Sequence, residues 1–213
     1  MMKIVALCGL VLVSSASFAG EVVLDVRAGA LNGSATLVNK LLPNGSKYVR
    51  LGMLLEDGNG KNVSVLQEST YDKEGKPVRL LQRTTLKGDA AAQSIVVTFN
   101  EKGASVKVDQ GGKTATNFVP YPSGKTITAT PEFWFIRDQV AGGGVRTYTR
   151  FDLATQSWKD ISCTFLGSRD LKWVGKTIKA NFVQMGEAKA YLDEFGDPYL
   201  IETPNGKMTR RAK

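Results

Sequence analysis

Two stretches of the chain share one punctuation. TYDKEGKPVRLL (70–81) and YLDEFGDPYLIE (191–202) each place Asp, two residues, Gly, one residue and Pro ahead of an apolar-rich run. Asp72, Gly75 and Pro77 therefore match Asp193, Gly196 and Pro198. The chemistry on offer is a carboxylate held at a tight corner. Asp193, Glu194 and Glu202 are acids of the kind that carboxylate-pair hydrolysis needs, facing one cleft. Strand parity instead sends Asp193 and Glu194 to opposite faces if the strand continues. The plainer use is a turn: Asp holds the corner, Gly takes the positive-φ position, and Pro opens the next strand where a missing N–H costs least. The echo is too short to establish a duplicated half.

Other chemistry is excluded by residue type. The sequence contains no histidine, which removes Ser-His-Asp and Cys-His nucleophiles and His-ligated zinc. PSGKT at 122–126 ends like a phosphate-binding loop, but the earlier glycine it needs falls on Val119. Asp57, Asn59 and Glu68 fit three positions of a calcium loop; Lys61 sits at a ligand position and repels the cation. The sequence therefore predicts no catalytic residues, no metal, no cofactor and no enzyme. Clustered carboxylates in a cleft would revive an enzymatic reading.

What remains is basic and aromatic. SRDLKWVGKTIKANF (168–182) carries Arg169, Lys172, Lys176 and Lys179 among Trp173 and Phe182. With a formal charge of +8 and a pI near 9.5, these four are candidates for contact with an anionic surface. The alternative is a solvated strand face whose aromatics point into the core.

The N-terminus narrows the choice. Lys3, the apolar run Ile4–Val13 and Ser17-Phe18-Ala19 give charge, apolar core and small-residue cleavage pattern in the order of a secretory signal peptide. The apolar run is too short to span a bilayer core of roughly 30 Å. The expectation is a signal peptide over 1–19 and one domain over 20–213, exported to the periplasm or secreted. The mature chain would have no transmembrane segment and a charge of +7 once Lys3 is lost from +8. Export argues against nucleic acid as a partner. It also leaves Cys163 alone, hence without a disulfide and best read as a small buried apolar residue.

The elements that must position these residues are short strands. Apolar-polar runs separated by Pro43-Asn44-Gly45 and Asp57-Gly58-Asn59-Gly60 read as hairpins. Further runs follow at 78–86, 94–99, 104–108, 145–152, 157–166, 172–185, 188–192, 199–202 and 207–210. One segment breaks the pattern. Thr130 as N-cap, Pro131, Glu132 and the closing Gly142–Gly144 predict a short apolar helix near 130–141. The fold expected is mainly β: a single strongly twisted antiparallel sheet, a half-barrel-like meander, with this helix covering one face.

The closing stretch AKAYLDEFGDPYLIETPNGKM resembles the last hairpin of bacterial envelope proteins with the lipoprotein-localisation-factor (LolA/LolB-like) fold, through Leu192, Asp193, Gly196, Pro198, Ile201 and Glu202. The layout is similar too: signal peptide, long meander, one inserted apolar helical segment, more strands. That resemblance implies a curved sheet half-closed around an apolar cavity that receives acyl chains. Phe133, Trp134 and Ile136 of the helix, with Trp158 and Phe165 of the facing strand, are the cavity candidates; the same residues serve equally as plain core. The function expected is a non-enzymatic envelope protein binding a lipid or other amphiphile. The alternative is an interaction module docking on an envelope protein or acidic glycan through a sheet face or edge.

Overall fold

The computed structural model describes residues 20–60, 62–86, 92–125, 144–194 and 196–212. The expected signal peptide (1–19) and the expected helix (130–141) lie outside these residues. Among the described residues every regular element is a strand: β1 (Gly20–Ala28), β2 (Leu31–Leu41), β3 (Lys47–Glu56), β4 (Asn62–Tyr71), β5 (Pro77–Leu86), β6 (Gln93–Asn100) and β7 (Gly103–Gln110), then β8 (Lys113–Pro120), β9 (Val145–Asp152), β10 (Ser157–Trp173), β11 (Lys176–Met185), β12 (Ala188–Leu192), β13 (Pro198–Thr203) and β14 (Gly206–Arg210). All pair antiparallel in one sheet with the order β8-β7-β6-β5-β4-β3-β2-β1-β14-β13-β12-β11-β10-β9. The meander is joined through β1 and β14, and β8 and β9 are its two unclosed edges.

The alternation of β2–β4 decides which face is inside. Val49, Leu51, Met53 and Leu55 on β3 are buried, as are Val63 and Val65 on β4 and Leu37 on β2. The period of two puts their neighbours on the outer face. The inner residues of β1–β4 and β12–β14 form one core, centred on Leu24, Leu37, Leu51, Leu192, Ile201 and Met208.

The sheet then rolls past itself. The β9–β10 register runs without a shift from Ser157↔Asp152 to Thr164↔Val145. Tyr148 and Phe151 therefore face opposite sides of this pair. Tyr148, Cys163 and Phe165 join the main core. Phe151 joins a second core with Leu80, Ile95, Val97, Ala104 and Val106 of β5–β7, and Trp158 packs against it. Thus the Phe151–Trp158 end of β9–β10 is covered by β5–β7, while Val145, Thr147 and Ser162 on the same face stay exposed.

Cys163 is fully buried, as its setting between apolar neighbours predicts. The run 172–185, read from sequence as one strand, is instead broken. Val174 (φ 49°) and Gly175 (φ 72°) form the two-residue loop between β10 and β11. Positive φ at both loop positions is the type I′ geometry, which favours Asn-Gly; a β-branched first residue hides the turn from sequence. β1 and β8 are likewise strands that the sequence did not single out.

Val174 is exposed and strained, so replacing it should relieve the backbone without disturbing packing. Val174→Asn is expected to raise unfolding stability by about 1 kcal/mol, read as a higher urea midpoint at unchanged slope. An unchanged or lower midpoint contradicts the strain assigned to this tip.

Candidate functional site

The two echoed motifs fold into one turn. In the first, Asp72 Oδ1 accepts the backbone N–H of Lys76 at 2.8 Å, and Gly75 N–H donates to the Asp72 carbonyl at 3.1 Å. In the second, Asp193 Oδ1 accepts from Asp197 N–H at 2.8 Å, and Gly196 N–H donates to the Asp193 carbonyl at 3.0 Å. Gly75 and Gly196 have φ of 86° and 84°. Pro77 and Pro198 each open the following strand, beside a register shift.

The second copy carries more. Arg210 donates from Nη2 to Asp193 Oδ2 at 2.9 Å and from Nε to the Pro198 carbonyl at 2.8 Å. Its guanidinium lies 4.3 Å over the Tyr199 ring. Trp173 packs on that ring at 5.1 Å and donates its indole N–H to the Arg210 carbonyl. Across the roll, Asn39 Nδ2 donates to Asp197 Oδ1 at 3.2 Å. The motif thus became a latch tying the β10–β11 tip, the C-terminal strand and β2 together. Burial, and next the Asp193 carboxylate, push the Asp197 pKa above the ordinary value; Arg210, Asn39 and Lys47 oppose them. Asp193 and Asp197 are consumed by structure, so their closeness makes no acid–base pair with a free substrate side.

The inner face of the main core is filled. Leu24, Leu37, Leu51, Leu55, Leu192 and Ile201 are all nearly inaccessible. One groove among the described residues lies outside, on β1–β4. It holds about 530 Å³ and is lined by Glu21, Ser34, Thr36, Val38, Arg50, Gly52, Leu54, Ser64 and Leu66, with Met53 and Val65 below. Register explains it. Ser34 faces Leu54, Thr36 faces Gly52, and Val38 faces Arg50 across β2–β3; Leu54 faces Ser64 and Gly52 faces Leu66 across β3–β4. Gly52 lies between Thr36 and Leu66, and a Cβ there would meet nothing within 4 Å. Leu54 is 58% exposed at the groove although it sits mid-strand.

Arg50 stands at one end. Its cross-strand neighbour Glu68 accepts a 2.6 Å hydrogen bond from Tyr48, whose pKa is pushed up to about 12, first by burial and then by that bond. Arg50 makes no ion pair among the described residues, so it is available to an anion. The groove can hold an extended apolar group with an anionic end.

The residues expected from sequence are distributed differently. Phe133, Trp134 and Ile136 lie outside the described residues. Trp158 and Phe165 sit on opposite faces of β10, in separate cores, so no single cavity is lined by both. Trp158 stacks with Tyr121 at 4.7 Å and Phe151 at 5.2 Å. The four cations are also divided. The β10–β11 register puts Lys172 and Lys179 on one face and Arg169 and Lys176 on the other. Lys179 pairs with Asp170 at 2.6 Å, and Arg169 lies 4.4 Å over Phe182. Arg50, Gly52 and Leu54 were missed; their signal was an apolar residue and a glycine at outward positions of a strand with a clear inward face.

No protein-family model matches the chain, and no curated protein matches it in sequence. Among solved structures it is similar to a β-barrel-like protein of a domain of unknown function (DUF1849) from Brucella abortus. The TM-score is 0.56 at 12% identity, over 90% of this chain and 94% of that one. At that identity the likeness establishes the β-rich, barrel-like fold.

The raised Asp197 pKa fixes a sign. The folded state holds the proton more tightly than the unfolded state, so this group lowers stability as pH rises from the ordinary aspartate pKa through the raised one. Asp197→Asn keeps an oxygen for Asn39 and removes the charge. Its stability relative to wild type should climb across that window and then level off, measured by urea unfolding from pH 3 to 8 (about the range that brackets a shifted carboxyl). A gap independent of pH removes Asp197 as the cause.

Proposed function

We propose that the protein is a non-enzymatic, exported envelope protein, periplasmic or secreted, that binds a lipid or other amphiphile along the groove of β1–β4. The observation carrying this reading is the groove itself: an apolar centre of Val38, Leu54 and Leu66 around Gly52, ending at an Arg50 without an ion pair. Its volume of about 530 Å³ falls within the range of small-molecule sites. The N-terminal charge and apolar pattern supports export. The C-terminal hairpin's likeness to the lipoprotein-localisation-factor fold supports the ligand class, and the barrel-like fold is compatible with it. The ligand lies on the outer face, since the inner face of these strands is core. Burial of the chain supplies most of the affinity, and Arg50 orients the anionic end.

Native mass spectrometry of protein purified from its own compartment, before and after solvent extraction, tests the reading. A reproducible adduct identified as lipid and removed by extraction is expected. Gly52→Leu fills the groove while leaving the fold intact, and should weaken binding of a short-chain anionic amphiphile by roughly tenfold or more. Arg50→Gln should erase the preference for anionic over zwitterionic head groups. A clean apo mass that added amphiphiles do not change overturns the proposal.

A further inference from the structure

The two edges of the sheet are not equivalent. β9 lies within the roll, with Tyr148, Thr149 and Phe151 buried. β8 is the outermost turn. Among the described residues it pairs with β7 alone, in a register that runs unshifted from Gly103↔Pro120 to Gln110↔Lys113. Every residue of β8 except Val119 is exposed, and Phe118 is 46% exposed. An edge strand presents a row of unpaired N–H and C=O groups, which proteins usually blunt with central charges, bulges or proline. β8 (KTATNFVP) has its only charge at its first residue, its proline at its last, and no bulge.

We infer that β8 pairs antiparallel with β8 of a second copy of this chain, continuing the sheet across a two-fold axis at Thr116. A two-fold normal to the sheet keeps the outer face of both copies on one side, so opposed residues share parity. Thr116 then meets Thr116 of the partner subunit, and Thr114 meets Phe118 of the partner subunit. Thr–Thr and aromatic–β-branched pairs are favourable across strands. Charge fits self-association as well. Lys113 lies at one end only, so antiparallel pairing sends the two lysines to opposite ends. On the neighbouring strand Lys107 pairs with Asp109 at 3.2 Å, and Thr114 donates to Asp109. The edge is nearly neutral on a chain of net charge +8, which elsewhere repels its own copy. A single strand pair buries less than a permanent dimer does, so the association is weak and concentration-dependent. It is independent of what fills the groove.

Sedimentation of the purified protein over rising concentration tests it. The weight-average mass is expected to approach twice the monomer mass. Thr116→Lys, an exposed position, sets two cations on the axis and should hold the protein at monomer mass with its circular dichroism and melting unchanged. In a Cys8→Ser background, Thr116→Cys should form an intermolecular disulfide under mild oxidation, because directly opposed residues lie about 4.5–5.5 Å apart between Cα atoms. The buried Cys163 supplies the unreactive control. A wild type that stays monomeric with no disulfide, or a dimer that Thr116→Lys leaves intact, overturns the inference.

Discussion

Side chains reach only a few ångströms from a sheet, so the number of strands sets whether a barrel can be solid. About eight strands enclose a lumen that side chains can fill; wider barrels leave a channel or need a plug. This sheet has 14 strands. Closed edge to edge, it would enclose more volume than its inward valines and leucines can occupy. It instead rolls its β9–β10 edge inward, and the strand pair becomes its own plug. Most other features follow. β10 sends Trp158 to one core and Cys163 and Phe165 to the other, there are two cores, and one edge ends outside.

Rolling carries a cost in definition. A closed barrel is held by its last ladder of hydrogen bonds, whereas a roll can slide. The Asp193–Arg210 pair and the Asn39–Asp197 bond fix the β12–β13 turn against β14 and β2. Both partners of the ion pair are largely shielded, at 13% and 17% exposure, where breaking a pair costs more than at the surface. The same turn without Arg210 occurs at Asp72, at a corner where nothing has to be held. The repeated motif is a corner both times and a latch once.

Much of this was legible. The Asp-x-x-Gly corners, the prolines after them, and the alternation of β2–β4 are local, and local signals survive in a single sequence. The roll was half written. Trp158 is out of phase with Ile161, Cys163 and Phe165, so β10 carries large apolar residues on both faces near its start, although Asp160, Ser162 and Thr164 share the face of Trp158. Reading Trp158 and Phe165 as one lining overlooked that phase. The positive φ of Val174 could not be read, because a valine there opposes its own preference. β8 was hidden for a related reason: exposed on both faces, it has no apolar period. Its pairing depends on β7, not on its own side chains.

The groove and the open edge share an origin. Among the described residues the inner face of β1–β4 is occupied by core, which leaves their outer face and the sheet's edge to meet a ligand or partner. On the outer face a missing side chain makes a concavity, and Gly52 between Thr36 and Leu66 makes one. At the rim, β8 is the edge strand that the roll leaves outermost. The expected carrier architecture places binding inside a half-closed sheet. In the function proposed, the packing of Leu24, Leu37 and Leu51 would put binding on the back of the same strands, with Arg50 rather than an aromatic plug as its orienting group. The inference from fold to site therefore inverts: the more completely a rolled sheet fills itself, the more its function must be read from residues whose parity points away from the core.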